Sequence, residues 1–162
     1  MTNLENVRGM HPTPKIVPLP PVVFLAFAVL GWLLERLVPL GVTPVPRESV
    51  IAGVAICVIA LAIGGLAVAE MRRAQTPVRP GLEVKRMVTT GIFTRTRNPM
   101  YLGMALLLIG AGIASANPWL ILMGPLLLVY FTFRVVNREE AYLEALFGDE
   151  YRAYRKRVRR WI

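Results

Sequence analysis

The stretch VIAGVAICVIALAIGGLAVA, residues 50–69, is twenty residues long and carries no charged side chain. An α-helix needs about 20 apolar residues to cross a hydrocarbon core of roughly 30 Å. Three further apolar blocks, at residues 21–38, 100–116 and 119–136, alternate with segments that hold nearly all the charge. The pattern predicts an all-α integral membrane protein with about four transmembrane helices, for which the bilayer is the solvent.

The third apolar block is the shortest. Its 17 residues reach only about 25 Å as a helix, at roughly 1.5 Å per residue. It is therefore marginal as a full span, and it forms a predicted hairpin with the fourth block, with Asn117 and Pro118 at the turn. Small residues at helical spacing in the second and third blocks, among them Gly103 and Gly110, predict close helix packing. Cys57 is expected to pack among them.

The net charge of +9 is distributed unevenly along the chain. Of the 19 Lys and Arg residues, seven lie in the segment 70–98 and eight from Arg134 onward, whereas the loop at 115–118 has none. By the positive-inside rule, the two basic segments and the N-terminus are cytoplasmic. The excess is explained by topology and by attraction to anionic membrane lipids, so we expect no nucleic-acid partner. The predicted location is the cell (inner) membrane, as a multi-pass protein.

These boundaries predict one membrane domain over residues 1–162. No small-residue cleavage site follows the first apolar block, so we interpret it as a retained helix and not a signal peptide. The successive parts are a Pro-rich leader (1–20), a first helix pair (21–69), a cytoplasmic loop (70–98), a helical hairpin (99–136) and a cytoplasmic tail (137–162).

Near the C-terminus, apolar residues recur at spacings of 3 and 4 and face away from a row of Arg and Lys. This pattern predicts an amphipathic interfacial helix that lies on the membrane surface, with its aromatic rings at the headgroup level. The apolar positions are Tyr151, Tyr154, Val158 and Trp161.

Function is expected in the two cytoplasmic segments, because polar groups cluster there beside the membrane. The segment 70–98 is nearly 30 residues long, and loops of that length are usually functional or disordered. Pro99 is well placed in the first turn of the third helix, whose free N–H groups can bind an anion. Acidic Glu139 and Glu140 follow the fourth apolar block. They are candidate functional groups, or alternatively surface ion-pair partners of Arg134 and Arg138.

Two motifs separated by one hairpin together resemble the isoprenylcysteine carboxyl methyltransferase family, to which the membrane phospholipid methyltransferases are related. The first motif is RNPMYLG at residues 97–103. The second begins with Glu139 and Glu140 and continues with Leu143, Phe147, Gly148, Tyr151, Tyr154 and Val158. The resemblance covers about residues 70–160. It implies a membrane-embedded methyltransferase that uses S-adenosylmethionine, with a cofactor-binding loop on the cytoplasmic side.

The resemblance also implies which residues bind the cofactor. Carried over by position, these are Lys85, Arg86, Met87, Val88, Phe93, Asn98, Pro99, Met100, Tyr101 and Glu139.

The chain departs from the family pattern at two of these positions. The family often has His where this chain has Asn98, and Tyr where it has Phe93. A substrate-side Arg is also implied about one turn before the first Glu. The eukaryotic spacing lands on Val135, so Arg134 is preferred and Arg138 is the other candidate catalytic residue.

The residue types suit this chemistry independently of the resemblance. The cofactor carries a sulfonium, an ammonium and a carboxylate, so its site needs a protein carboxylate, hydrogen-bond donors for the anion and an apolar wall. Methyl transfer itself is accelerated mainly by positioning the reactants in a site without water. No metal site is expected, because the chain has one His and one Cys. The predicted acceptor is a lipophilic small molecule or lipid, with a carboxylate or thiol favoured. The alternatives are a phospholipid or amine N-methyltransferase, or a non-catalytic protein that binds anionic lipid. The sequence leaves the oligomeric state open.

Overall fold

The computed structural model describes residues 19–78, 84 and 86–162, and this part of the chain is helical, with no β-strand. The prediction of an all-α fold is confirmed. A π-helical turn, Thr132–Val136, joins α4 to α5 without a break, and a 3₁₀ turn, Gly91–Thr94, precedes α3. The helices are α1 (Pro20–Leu37), α2 (Arg47–Arg73), α3 (Pro99–Ala114), α4 (Pro118–Phe131), α5 (Asn137–Phe147) and α6 (Asp149–Arg157). The leader up to residue 18 lies outside the described residues.

Within the described part of the chain, three helical stretches are long and apolar enough to cross a membrane: α1, α2 and the continuous helix Pro118–Phe147. The fourth apolar helix, α3, has 16 residues and is about 24 Å long, which agrees with its predicted marginal length. Large apolar side chains of α1 and α2, such as Leu25 and Ile51, are exposed on the outside of the bundle. An apolar surface this extensive is expected to be covered by lipid. The predicted membrane fold is confirmed.

Proline starts three of the helices. Pro20, Pro99 and Pro118 each occupy the first turn, where the missing N–H has no helical partner in any case. Between α3 and α4, the side-chain Oδ1 of Asn117 accepts a hydrogen bond from the Leu120 N–H at 3.0 Å and caps α4. The predicted turn at Asn117 and Pro118 is confirmed.

The α2 and α3 helices approach closely through small residues. A Cβ added at Gly53 would clash with the α3 backbone at Ala114, and one added at Gly110 would lie 2.7 Å from the Cys57 sulfur. A Cβ added at Gly103 would lie 3.0 Å from the Ala60 carbonyl oxygen. These glycines allow backbone contact, as the small-residue spacing predicted, and Cys57 fills part of the same interface.

The main core lies between α1, α3 and α4. Its best-buried side chains include Leu127 and Phe131 of α4 and Tyr101 of α3. Tyr101 packs on Phe131 with ring centroids 4.8 Å apart, and Trp161 at the chain end packs against the same core. The core therefore connects the membrane-embedded helices to the polar end of the bundle where α3 begins, which we call the site end.

The π turn adds one residue to the long helix at the level where it leaves the apolar block. The hydroxyl of Thr132, the first residue of the turn, donates to the Leu128 carbonyl at 2.7 Å. Single π turns inside α-helices occur frequently at functional sites. Here the turn comes immediately before the two acidic residues, Glu139 and Glu140, in the first turn of α5.

The C-terminal helix α6 is amphipathic, as predicted, but its aromatic face packs against the protein. Tyr151 and Tyr154 are 1% and 4% exposed, and with Val158 they contact Met87, Leu143 and Phe147. A nine-residue helix is unstable alone, so this burial is what holds α6. The prediction that the rings of Tyr151 and Tyr154 lie at the membrane interface is wrong, because the sequence displays an apolar face without showing which surface covers it. The Arg residues on the other face are exposed.

Candidate functional site

A cavity of about 150 Å³ lies at the site end of the bundle. Most of the lining is apolar, with a few polar side chains that converge from α3, α5 and α6. The lining residues are Met71, Thr76, Pro77, Val78, Val84, Arg86, Met87, Val88, Phe93, Arg97, Asn98, Pro99, Met100, Tyr101, Glu139, Glu140, Tyr142, Leu143, Tyr151 and Tyr154.

All but one of the ten residues predicted to bind a cofactor line this cavity. The exception is Lys85, which lies outside the described residues. The two candidate catalytic residues, Arg134 and Arg138, are exposed and do not line it. The structure thus brings the loop residues and Glu139 together, whereas the roles of all these residues stay predictions.

Tyr101 and Glu139 form the polar pair on one side of the cavity. The Tyr101 hydroxyl donates to a Glu139 carboxylate oxygen at 2.9 Å. Tyr101 is fixed by its packing in the core, and it therefore holds the carboxylate in one orientation. A carboxylate has two oxygens and several acceptor positions, so it is able to accept from a ligand that offers N–H or O–H groups as well as from Tyr101.

Arg97 and Glu140 form a second polar pair. A terminal guanidinium nitrogen of Arg97 lies 2.9 Å from the Glu140 carboxylate and donates to the Tyr151 hydroxyl oxygen at 3.0 Å. Both charged side chains are about nine-tenths buried. On its other side, Glu140 accepts two hydrogen bonds from Arg160 at 3.0 and 2.6 Å. Among the described residues, the buried Nε of Arg97 has no hydrogen-bond partner.

The 3₁₀ turn places Phe93 in the cavity wall and is held from two sides. The Thr90 hydroxyl donates to Glu70 at the end of α2 at 2.7 Å, and the Tyr154 hydroxyl donates to the Phe93 carbonyl at 2.7 Å. Gly91 adopts φ = 56°, and a Cβ there would lie 2.7 Å from the Glu70 carboxyl carbon. Glycine is thus required at this position by both conformation and space.

Burial raises the pKa of the Tyr154 phenol. It also raises the pKa of the Tyr151 phenol, with the negative charge of Glu140 adding to the effect. Both groups therefore stay protonated at neutral pH. They act as neutral polar groups in the wall, Tyr154 as a donor that fixes the 3₁₀ turn and Tyr151 as an acceptor that orients Arg97.

The sequence prediction missed the contribution of the C-terminal tail to this cavity. The sequence predicts Tyr151 and Tyr154 at the membrane surface. It indicates Glu140 as a candidate functional group and Arg97 as part of the first motif, but it predicts neither as a cofactor-binding residue. Their membership in the two motifs was a usable signal. The position of Arg160, by contrast, depends on how the chain turns after α6, which no local pattern indicates.

The arrangement combines a carboxylate, a buried guanidinium with a spare donor, and apolar walls. Such a set fits an amphipathic small molecule that carries both a cationic or hydroxyl group and an anionic group.

Comparisons with known proteins identify the family. The family model described as phospholipid methyltransferase matches residues 49–150. The chain belongs to the phospholipid methyltransferase family.

Two curated proteins resemble part of the chain in sequence. A protein-S-isoprenylcysteine O-methyltransferase of Schizosaccharomyces pombe is 38% identical over 72 residues, which are 44% of this chain and 30% of that protein. An uncharacterised protein of Haemophilus influenzae is 43% identical over 65 residues, which are 39% of this chain and all of that protein. These matches support the family resemblance seen in the two motifs.

The fold is also similar to that of a solved structure, the eukaryotic intramembrane Ras methyltransferase, an isoprenylcysteine carboxyl methyltransferase. The TM-score is 0.67 at 20% identity, over 83% of this chain and 50% of that one. The chain thus spans about a third to a half of the length of these two methyltransferases. With the family match, this likeness confirms the predicted family and membrane fold.

Proposed function

We propose that the protein is an integral membrane methyltransferase that uses S-adenosylmethionine and acts on a lipophilic acceptor. The observation that carries the proposal is the cavity at the site end, where all but one of the predicted binding residues meet. Family membership supplies the reaction class, and the cavity supplies a site of suitable chemistry.

The cavity residues fit the cofactor group by group. The carboxylate of Glu139 suits the ammonium or the ribose hydroxyls, and the unpaired Nε of Arg97 suits the carboxylate. Met87, Val88 and Phe93 offer an apolar wall of the kind that an adenine ring packs against. When bound, the cofactor supplies an electrophilic methyl group on a sulfonium sulfur.

In the proposed reaction, the acceptor oxygen or sulfur forms a bond to the methyl carbon, and the carbon–sulfur bond of the donor breaks to leave S-adenosylhomocysteine. A carboxylate acceptor has no proton to lose, and a thiol gives its proton to solvent. The protein binds both partners, holds them about 3–3.5 Å apart and excludes water. No strong general base is needed for these acceptors, and none of the cavity-lining residues is a histidine.

The acceptor is proposed to be a lipophilic carboxylate such as a prenylated cysteine, or a lipophilic thiol. The similarity to an isoprenylcysteine O-methyltransferase supports the carboxylate. The family model, described as phospholipid methyltransferase, favours the second candidate, N-methylation of a phospholipid amine. Exposed Arg134 and Arg138 lie just before the site, where the long helix leaves the apolar block, and are proposed to attract an anionic acceptor or headgroup.

The proposed orientation places both termini and the segment 70–98 on the cytoplasmic side of the cell membrane, because these segments hold most of the Lys and Arg. In this orientation the cavity opens toward the compartment that contains the cofactor. The whole chain, residues 1–162, is proposed to act as one membrane domain.

The test begins with S-adenosylmethionine binding by the purified protein, measured by calorimetry in detergent and in lipid nanodiscs. Methyl-labelled cofactor is then supplied with a farnesylated cysteine, a long-chain thiol or phosphatidylethanolamine. Transfer to the carboxylate or thiol is expected. Transfer to the amine alone would select the second candidate, and no cofactor binding in either medium would refute the enzyme and favour a lipid-binding protein.

A further inference from the structure

The last residues of the chain fold back onto the turn that begins α3. The Arg97 N–H donates to the Arg159 carbonyl at 3.1 Å. The Thr96 hydroxyl and the Asn98 side-chain amide both donate to the Arg160 carbonyl, at 3.0 and 3.1 Å. The backbone at Arg160 is therefore fixed beside the cavity, although 62 residues separate it from Asn98.

The guanidinium of Arg160 forms a bidentate pair with the carboxylate of Glu140. Nε donates to one carboxylate oxygen at 3.0 Å and Nη2 to the other at 2.6 Å. This bidentate geometry fixes the plane of the carboxylate as well as its distance. Arg97 reaches the same carboxylate from the cavity side through one terminal nitrogen, at 2.9 Å.

The shared carboxylate limits how Arg97 is able to pair. An isolated arginine–carboxylate pair favours bidentate geometry. In such a pair, Arg97 would donate from Nε and from a terminal nitrogen together. Because Arg160 occupies both oxygens of Glu140, Arg97 keeps a single contact and its buried Nε is left without a partner among the described residues. Two guanidinium groups against one carboxylate also leave an excess positive charge at this point of the cavity wall.

We propose that Arg160 is a positioning residue, which holds Glu140 so that Arg97 presents its Nε to the carboxylate of the methyl donor. The inference rests on the proposed function, since it assigns a role within that cofactor site. Without the Arg160 side chain, Glu140 is free to rotate and to form a bidentate pair with Arg97. The Nε of Arg97 is then no longer available to an anion in the cavity, whereas the apolar wall and Glu139 are unchanged.

The variant that tests this is Arg160→Met, which keeps an unbranched stem and removes the guanidinium group with its charge. Two probes separate the carboxylate from the rest of the ligand: S-adenosylhomocysteine carries it, and 5′-methylthioadenosine lacks the whole amino-acid group. Calorimetry on the full-length protein is expected to show at least a tenfold loss of affinity for S-adenosylhomocysteine and less than a twofold change for 5′-methylthioadenosine. The matched control is Arg157→Met, the same change at an exposed position three residues earlier, for which both affinities stay within twofold.

Equal losses for the two probes would overturn the inference, because a general loosening of the wall weakens both. Unchanged affinity for both probes would also overturn it, while the proposed function stood. A wild-type protein that binds neither probe would overturn the proposed function and the inference together. If Arg160→Met lowers the melting temperature strongly, Arg160→Lys decides, since it keeps the charge and one contact. We expect it to give a smaller loss for S-adenosylhomocysteine alone, and equal losses for both probes would reject the role.

Discussion

Replacing Glu139 by Gln removes one negative charge from the cavity and changes little else. Gln has the size of Glu and keeps an oxygen that can accept from Tyr101, which lies 2.9 Å from the carboxylate. A hydrogen bond to a charged group contributes about 1.5–3 kcal/mol, against about 1 kcal/mol for a neutral one. The difference, about 0.5–2 kcal/mol per contact, acts on at least one bond to the cofactor. We therefore expect S-adenosylmethionine affinity to fall about tenfold, which corresponds to about 1.4 kcal/mol.

The assay is calorimetry on purified protein, with Glu144→Gln as the control. Glu144 lies on the same helix and pairs with Arg152 and Arg155 outside the cavity, at 3.5 and 3.1 Å. Its substitution also removes one carboxylate charge from α5, and we expect cofactor affinity within twofold of wild type. Equal affinities for wild type and Glu139→Gln would refute the assignment of this carboxylate, and equal losses in both variants would show that only helix charge matters.

Three further predictions concern the same site and its orientation. Tyr101→Phe removes the hydroxyl that orients Glu139 and leaves the packing in place. We therefore expect a three- to tenfold loss of cofactor affinity with an unchanged melting temperature. No loss would show that the hydrogen bond from Tyr101 is not needed to orient Glu139. Asn98→His retains a side-chain donor for the Arg160 carbonyl, now 3.1 Å from the Asn98 amide, and calorimetry should give affinity within threefold of wild type, whereas a loss above tenfold would contradict the carry-over. A cysteine introduced at exposed Arg73, in a Cys57→Ser background, should react with an impermeant reagent only from the cytoplasmic side, and labelling from outside the cell would reverse the proposed orientation.

The membrane fold was predictable because it depends on local composition. The length of each apolar block, the prolines at the helix starts and the cap at Asn117 are all properties of short windows. The position of loop residues at the cavity was predictable for a different reason, since the family resemblance gave residues that local physics alone would have left as a basic linker. The structure then brings Phe93, Met87 and Glu139 to one cavity, which neither motif shows by itself.

The contacts of the C-terminal tail were not predictable in the same way. The spacing of Tyr151 and Tyr154 indicates an apolar face, and a membrane surface or a protein surface satisfies such a face equally well. The pair of Arg160 with Glu140 joins residues 20 apart in sequence across a helix, a turn and a second helix. Its formation depends on the angle between α5 and α6, and Gly148, with φ = 53°, sets that angle at the junction.

The π turn at Thr132–Val136 divides the long helix into two parts. The side chains of the second part are rotated around the helix axis relative to those of the first. One extra residue advances everything after it by about 100° relative to an uninterrupted α-helix. A helical wheel drawn from the start of α4 therefore misplaces Glu139 by more than a quarter of a circle. The face that meets lipid before the turn and the face that bears the carboxylates after it belong on two separate wheels.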